Sequence, residues 1–154
     1  MNRGIIFELP NEYGTFLDDV LKPIDITDFN WKIGSGESYE IKNNELGEDL
    51  FHEDKKVMEG IALKELLKNS SYYIIFADLQ AYPKGKFDEI NTYEEFMKSD
   101  CELVFLVEDS CYATIYCKDK DKLQLLYKNA RDCRFKDVEY ITNESDTRTR
   151  LSVW

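Results

Sequence analysis

Residues 102–118 read ELVFLVEDSCYATIYCK: a β-rich run from Glu102 to Val107, a polar turn at Glu108-Asp109-Ser110, and a second β-rich run from Cys111 to Lys118. Two such runs around a short polar turn predict a β-hairpin. Upstream, Tyr72 to Tyr82 (YYIIFADLQAY) is the strongest single strand signal, closed by Pro83-Lys84-Gly85. Between the two, Thr92 followed three residues later by Glu95 forms a capping box, so Tyr93 to Ser99 is expected to be a short helix. Downstream, Asp119 is a natural N-cap for a helix whose apolar stripe is Leu123, Leu126, Tyr127 and Ala130.

Outward from this centre the periodicities weaken. Gly4 to Leu9 reads as a strand, and Pro10 to Leu21 as a helix with Tyr13, Phe16, Leu17, Val20 and Leu21 on one face. Trp31 to Ile33 and Tyr39 to Ile41 flank Gly34-Ser35-Gly36-Glu37-Ser38 and read as a loose hairpin. The polar stretch from Lys42 to Glu59 reads as a loop, and Ile61 to Asn69 as a helix. Val138 to Thr142 and Arg148 to Trp154 are expected to be closing strands. Hairpins outnumber strand-helix-strand units, which predicts an α+β fold. The expectation is a single domain over residues 1–154: a mostly antiparallel sheet with three to four helices packed on it. Cys111 to Thr142, reading strand, helix, strand, is the one candidate βαβ unit near the C-terminus.

Charge is distributed unevenly. The chain carries 31 acids and 20 bases for a net charge of −11; residues 1–117 account for −13 (24 acids, 11 bases) and residues 118–154 for +2 (7 acids, 9 bases). Such a body repels nucleic acid and anionic membrane and attracts a cationic partner, so neither nucleic acid nor membrane is expected, and a basic protein is the partner its charge suits. The opening apolar run is too short for a signal sequence, which points to the cytoplasm. Cys101, Cys111, Cys117 and Cys133 have spacings that fit no CxxC pattern and are expected to be free thiols.

Chemical motifs are few. No GxSxG, GxGxxG or GxxxxGK[ST] occurs, and Asp119-Lys120-Asp121 lacks the glycine and glutamate that complete a calcium loop. His52, the single histidine, sits among Glu48, Asp49, Glu53 and Asp54, where a solvated acidic loop explains it as simply as a weak cation site. No catalytic residue, metal or cofactor is assigned on this pattern.

Two groups of residues remain as binding candidates. Strand alternation places Tyr73, Ile75, Ala77, Leu79 and Ala81 on an apolar core face, and puts Asp78, Gln80 and Tyr82 on the opposite one, which turns polar along its length. An aspartate and a glutamine beside aromatics are what a small polar pocket uses, although a sheet emerging into solvent has the same pattern. In the tail, alternation sets Arg148, Arg150 and Trp154 on one face, suited to a carboxylate or phosphate, or to internal pairing with acids.

Several segments, RGIIFELPNEYG at 3–14, AYPKG at 81–85, SDCELVFLVEDS at 99–110, IYCKDK at 115–120 and YITNESDTRTRLSVW at 140–154, together resemble a family of short bacterial proteins classed as a domain of unknown function and found mainly in bacilli. The resemblance spans nearly the whole chain. It implies a bacterial cytosolic protein and brings no assigned activity or site residues. Two functions of different class therefore stand side by side: an acidic interaction module, inhibitor-like or immunity-like, binding a basic protein; and a small-molecule binder or enzyme built on the polar end of the Tyr72 to Tyr82 strand. A flat acidic surface favours the first, and a concave polar site with a perturbed carboxylate the second.

Overall fold

Asp109 and Ser110 turn the chain with left-handed backbone angles, φ 50° and 68°, a region that short polar side chains tolerate by bonding to nearby backbone. Glu108 thereby faces Tyr112 across the predicted hairpin. The computed structural model describes residues 1–52, 56–148 and 150–153. In chain order its elements are β1 (Asn2–Glu8), α1 (Phe16–Leu21), β2 (Asn30–Ile33), β3 (Glu37–Lys42), β4 (Glu45–Asp49), β5 (Val57–Glu59), α2 (Gly60–Asn69), β6 (Tyr72–Tyr82), α3 (Tyr93–Lys98), β7 (Leu103–Glu108), β8 (Tyr112–Cys117), α4 (Lys120–Asp132) and β9 (Lys136–Thr142).

The nine strands described form one sheet in the order β4-β3-β6-β7-β8-β1-β9, with β2 pairing both β6 and β5. Every pairing is antiparallel. The fold is α+β. The strand-helix-strand unit at the C-terminus is split: β8 and β9 are each antiparallel to β1, which lies between them, so they run parallel without touching.

β7 explains why its sequence is continuously apolar rather than alternating. Leu103, Phe105 and Val107 face a cluster with Ile5, Leu79 and Leu126, while Val104 and Leu106 face a second cluster with Phe96, Tyr116 and Leu151. Both faces of the sheet are therefore covered. The first carries α1, α2 and α4; the second carries α3 and the C-terminal tail. Burying a side chain such as Phe105 completely contributes about 1.5–3 kcal/mol, and Phe105 is fully buried.

The two helix caps form as expected. Asp119 accepts hydrogen bonds from the backbone N–H groups of Asp121 (2.9 Å) and Lys122 (3.1 Å). Thr92 Oγ1 accepts from Glu95 N (3.2 Å), while Glu95 Oε1 accepts from the backbone of Asn91.

Five sequence expectations are corrected. The first helix spans only Phe16–Leu21: Gly14 is tied to Tyr72 by a backbone bridge and residues 11–13 before it are bends rather than helix, and Tyr13 is exposed. Lys42 to Glu59 is not simply a loop, since it holds β4, joined to β3 through Asn43-Asn44 with left-handed φ of 54° and 62°, a hairpin turn geometry, and β5, which pairs with β2. The core phase of β6 slips: Tyr72 and Ile74, rather than Tyr73 and Ile75, join Ala77, Leu79 and Ala81 in the core. The cause is a bulge opposite the Glu37/Ser38 step, where one extra β6 residue is accommodated.

β2 and β3 do not pair with each other. Residues 30–33 face 82–79 and residues 37–40 face 76–72, so the two strands run in the same direction along one edge of β6, interrupted at Gly34-Ser35-Gly36. Finally, the described residues of the predicted strand from Arg148 to Trp154 form none. Arg150 makes an isolated bridge to Thr92, and Leu151 and Val153 are buried in the second cluster; Thr149 and Trp154 lie outside the described residues.

Candidate functional site

The interruption between β2 and β3 lies over Ala77 and Asp78. Gly34 donates its backbone N–H to the Asp78 carbonyl (2.8 Å), and a Cβ at Gly34 would fall 2.7 Å from Asp78 Oδ2. A Cβ at Gly36 would fall 2.6 Å from the Phe76 carbonyl oxygen. Both positions need glycine because backbone and side chain approach too closely for anything larger.

This break opens a cleft of about 1040 Å³. Asp78 and Gln80 line it from β6, Lys32 from β2 and Glu37 from β3. Asp49, His52, Lys56 and the Glu89-Ile90-Asn91 segment also line it, with Ile33, Phe51 and Phe76 among its apolar groups. Among the described residues the cleft thus holds four carboxylates (Glu37, Asp49, Asp78, Glu89) and two ammonium groups (Lys32, Lys56).

Asp78 is the unusual member. It is only 9% exposed, and its Oδ1 is buried with no hydrogen-bond partner among the described residues. Burial pushes its carboxyl up from 3.8 to about 6, against the opposing attraction of Lys32. Lys32 stands near enough to be felt but is engaged elsewhere. Its Nζ donates to the Asp88 carbonyl oxygen (3.1 Å) and pairs with Glu89 Oε1 at 3.5 Å. Buried charges are normally paired, because desolvation otherwise costs several kcal/mol; here the residue that carries the unpaired carboxyl lines a cleft instead.

Several of the remaining lining groups are held in place. Gln80 is buried, and its Oε1 accepts from the Tyr82 hydroxyl (2.6 Å), which also has the Asp88 carbonyl within 3.0 Å. Burial raises the Tyr82 hydroxyl well above the usual tyrosine range, so it stays a donor. Tyr39 donates to Glu37 Oε1 (2.9 Å). Ile33 N donates to the Lys56 carbonyl (2.7 Å), which fixes Lys56 beside β2.

Of the residues that the sequence singles out, Asp78 and Gln80 line the cleft and Tyr82 stands behind them as a support. Arg148 and Arg150 do not line it. Arg148 pairs with Glu108 and donates to the Ser152 carbonyl (3.2 Å), which latches the tail to the end of β7. Leu151 N donates to the Asn91 carbonyl (2.9 Å), so the tail braces one wall of the cleft through its backbone. Trp154 lies outside the described residues, as do Glu53 and Asp54. No group of three or more His, Cys, Asp or Glu side chains able to hold a metal occurs among the described residues. The four cysteines are free.

Lys32, Glu37, Asp49, His52, Lys56 and Glu89 were not assembled by sequence reading. The signal that would have pointed to them is the pair Gly34 and Gly36 inside a β-rich run, which marks close backbone approach as readily as a turn.

Comparison with known proteins agrees with the resemblance noted in the sequence. An uncharacterised protein of Bacillus subtilis (strain 168), YncE, is 50% identical over 155 residues, covering 99% of this chain and 100% of that protein. No solved structure matches. No helix among the described residues is long and apolar enough to cross a membrane. The family described as "Protein of unknown function (DUF2691)" matches residues 2–152, and with a match of that extent the chain belongs to the DUF2691 family.

Proposed function

We propose that this protein binds a small polar molecule in the cleft at Asp78. The observation that supports the reading most is a buried carboxylate, with one oxygen unpartnered among the described residues, on the wall of a concave polar cleft. Clefts of several hundred Å³ with a few fixed polar groups on apolar walls are the usual form of ligand sites. A carboxyl shifted by burial in a cleft is a recognised pointer to a functional site. The test is amide chemical-shift mapping while a low-molecular-mass metabolite extract is added. Shifts confined to residues 32–39, 76–80 and 89–91 are the expected result; no shift there, or shifts centred elsewhere, would reject the reading.

A second reading keeps the acidic body as a docking surface for a basic protein. Its support is β4 at the sheet edge, exposed at all five residues and carrying Glu45, Glu48 and Asp49. Exposed charge of that kind steers association and is screened beyond about 8 Å at physiological ionic strength. Neutralising Glu48, Asp49, Glu53 and Asp54 together would then slow association with a basic partner and flatten its salt dependence. An on-rate indifferent to both changes rejects this reading.

A further inference from the structure

We infer that the molecule held in the cleft is a small organic cation, a primary ammonium or guanidinium on a short apolar stem, with Asp78 as its counter-ion. The inference rests on the small-molecule reading above and adds the chemistry of the ligand.

Three observations carry it. The Asp78 side chain is nine-tenths buried, lines the cleft, and keeps one oxygen unpartnered among the described residues. A carboxylate in that state accepts strong, charge-assisted hydrogen bonds from a cationic N–H donor. The nearest native cation does not supply them, since Lys32 is tied to the Asp88 carbonyl and to Glu89 on the rim.

The charge lining the cleft as a whole has the sign that a cation needs, while at Asp78 itself the charge felt is that of Lys32. Glu37 from β3, Asp49 from β4 and Glu89 from the loop after β6 outnumber Lys32 and Lys56, and an anion entering the cleft would meet four carboxylates. A bare metal ion is the poorer fit, because no three His, Cys, Asp or Glu side chains among the described residues are placed so that they could hold one. The walls favour an organic stem: Ile33 and Ile90 offer aliphatic surface, and Phe51, Phe76 and Tyr39 offer aromatic surface on which a cation or its alkyl chain can rest.

The experiment is calorimetric titration of the protein near neutral pH with four probes on short alkyl stems: n-butylamine and its isostere 1-butanol, butylguanidine, and butyrate. The two cations are expected to bind with Kd about tenfold or more below that of the alcohol, and butyrate most weakly. In Asp78→Asn, which keeps the shape, both cations are expected to fall to the level of the alcohol while the alcohol is unchanged. A measurement on the unaltered protein guards against a variant that folds poorly: the Asp78 Cγ resonance should move on adding butylguanidine and stay on adding 1-butanol. Butanol or butyrate binding as tightly as the cations, or cations that bind without moving Asp78 Cγ, overturns the assignment and leaves the small-molecule reading standing. If neither cation binds the assignment is also overturned, and the small-molecule reading is then decided separately by the metabolite-extract titration.

Discussion

Gly34 and the Asp78 carboxylate are in contact across the break between β2 and β3, with the position of a Cβ on Gly34 only 2.7 Å from Asp78 Oδ2. The contact joins the backbone irregularity to the unpaired acid: the strand breaks over the one position of β6 that carries a charged side chain. A Gly34→Ala protein has to move either the strand or the carboxylate, and overpacking of this kind costs about 1–3 kcal/mol. Urea denaturation should show that loss. Combined with Asp78→Ala, part of it should be recovered, because the two positions share one space; strictly additive losses would contradict the contact.

Asp78→Asn is expected to stabilise the protein at neutral pH. The folded carboxyl titrates at about 6 instead of 3.8, so the native state holds its proton longer than the unfolded chain. Stability from this group is therefore complete below about pH 4 and is lost as pH rises through about 6. The full loss corresponds to about 3 kcal/mol at most, and asparagine does not suffer it. Chemical denaturation of both proteins at several pH values should show the variant's advantage growing from about pH 4 to about pH 7. An advantage that shrinks over that range would show Asp78 to be favourably paired.

The tail is expected to be structural. Leu151 is 1% exposed, and Leu151→Ala should cost about 2–4 kcal/mol through lost burial and the cavity left behind. Arg148 and Glu108 are 25% and 31% exposed, so Arg148→Ala should cost about 1 kcal/mol or less. Thermal unfolding of the two variants checks the ranking. A loss of cleft ligand by Arg148→Ala with unchanged stability would return the arginine to the site.

Thiol reactivity should follow burial. Burial raises Cys101 to about 12 and Cys117 to about 11, leaving almost no thiolate at neutral pH. Cys133 is exposed and Cys111 partly so. Alkylation followed by mass spectrometry should modify Cys133 first, then Cys111, and the other two only in denaturant. Early labelling of Cys101 would mean that the second core opens readily.

Sequence periodicity was sufficient for the hairpin from β7 to β8, for the extent of β6 and for the capped helices α3 and α4, while the bulge opposite Glu37/Ser38 shifted the core phase at the start of β6. It failed where burial does not control residue choice. β4 is exposed throughout, so it shows no alternation, although Asn43-Asn44 is a readable turn. Two glycines in a β-run suggest a hairpin, and only the pairing of β2 and β3 with the same edge of β6 reveals a break instead. Asp78 and Gln80 stood out as polar residues in an apolar strand. Their neighbours Lys32, Asp49 with His52, and Glu89 come from three separate segments, which the sheet topology brings together and local sequence does not.

The most direct measurement is a pH titration of the Asp78 side-chain carboxyl by carbon NMR, with and without butylguanidine. The expected midpoint for the protein alone is about 6, falling clearly when the cation is present because a bound positive charge favours the carboxylate. A midpoint at or below the ordinary 3.8, unmoved by the cation, would contradict both the buried, unpaired acid and its role in holding a ligand.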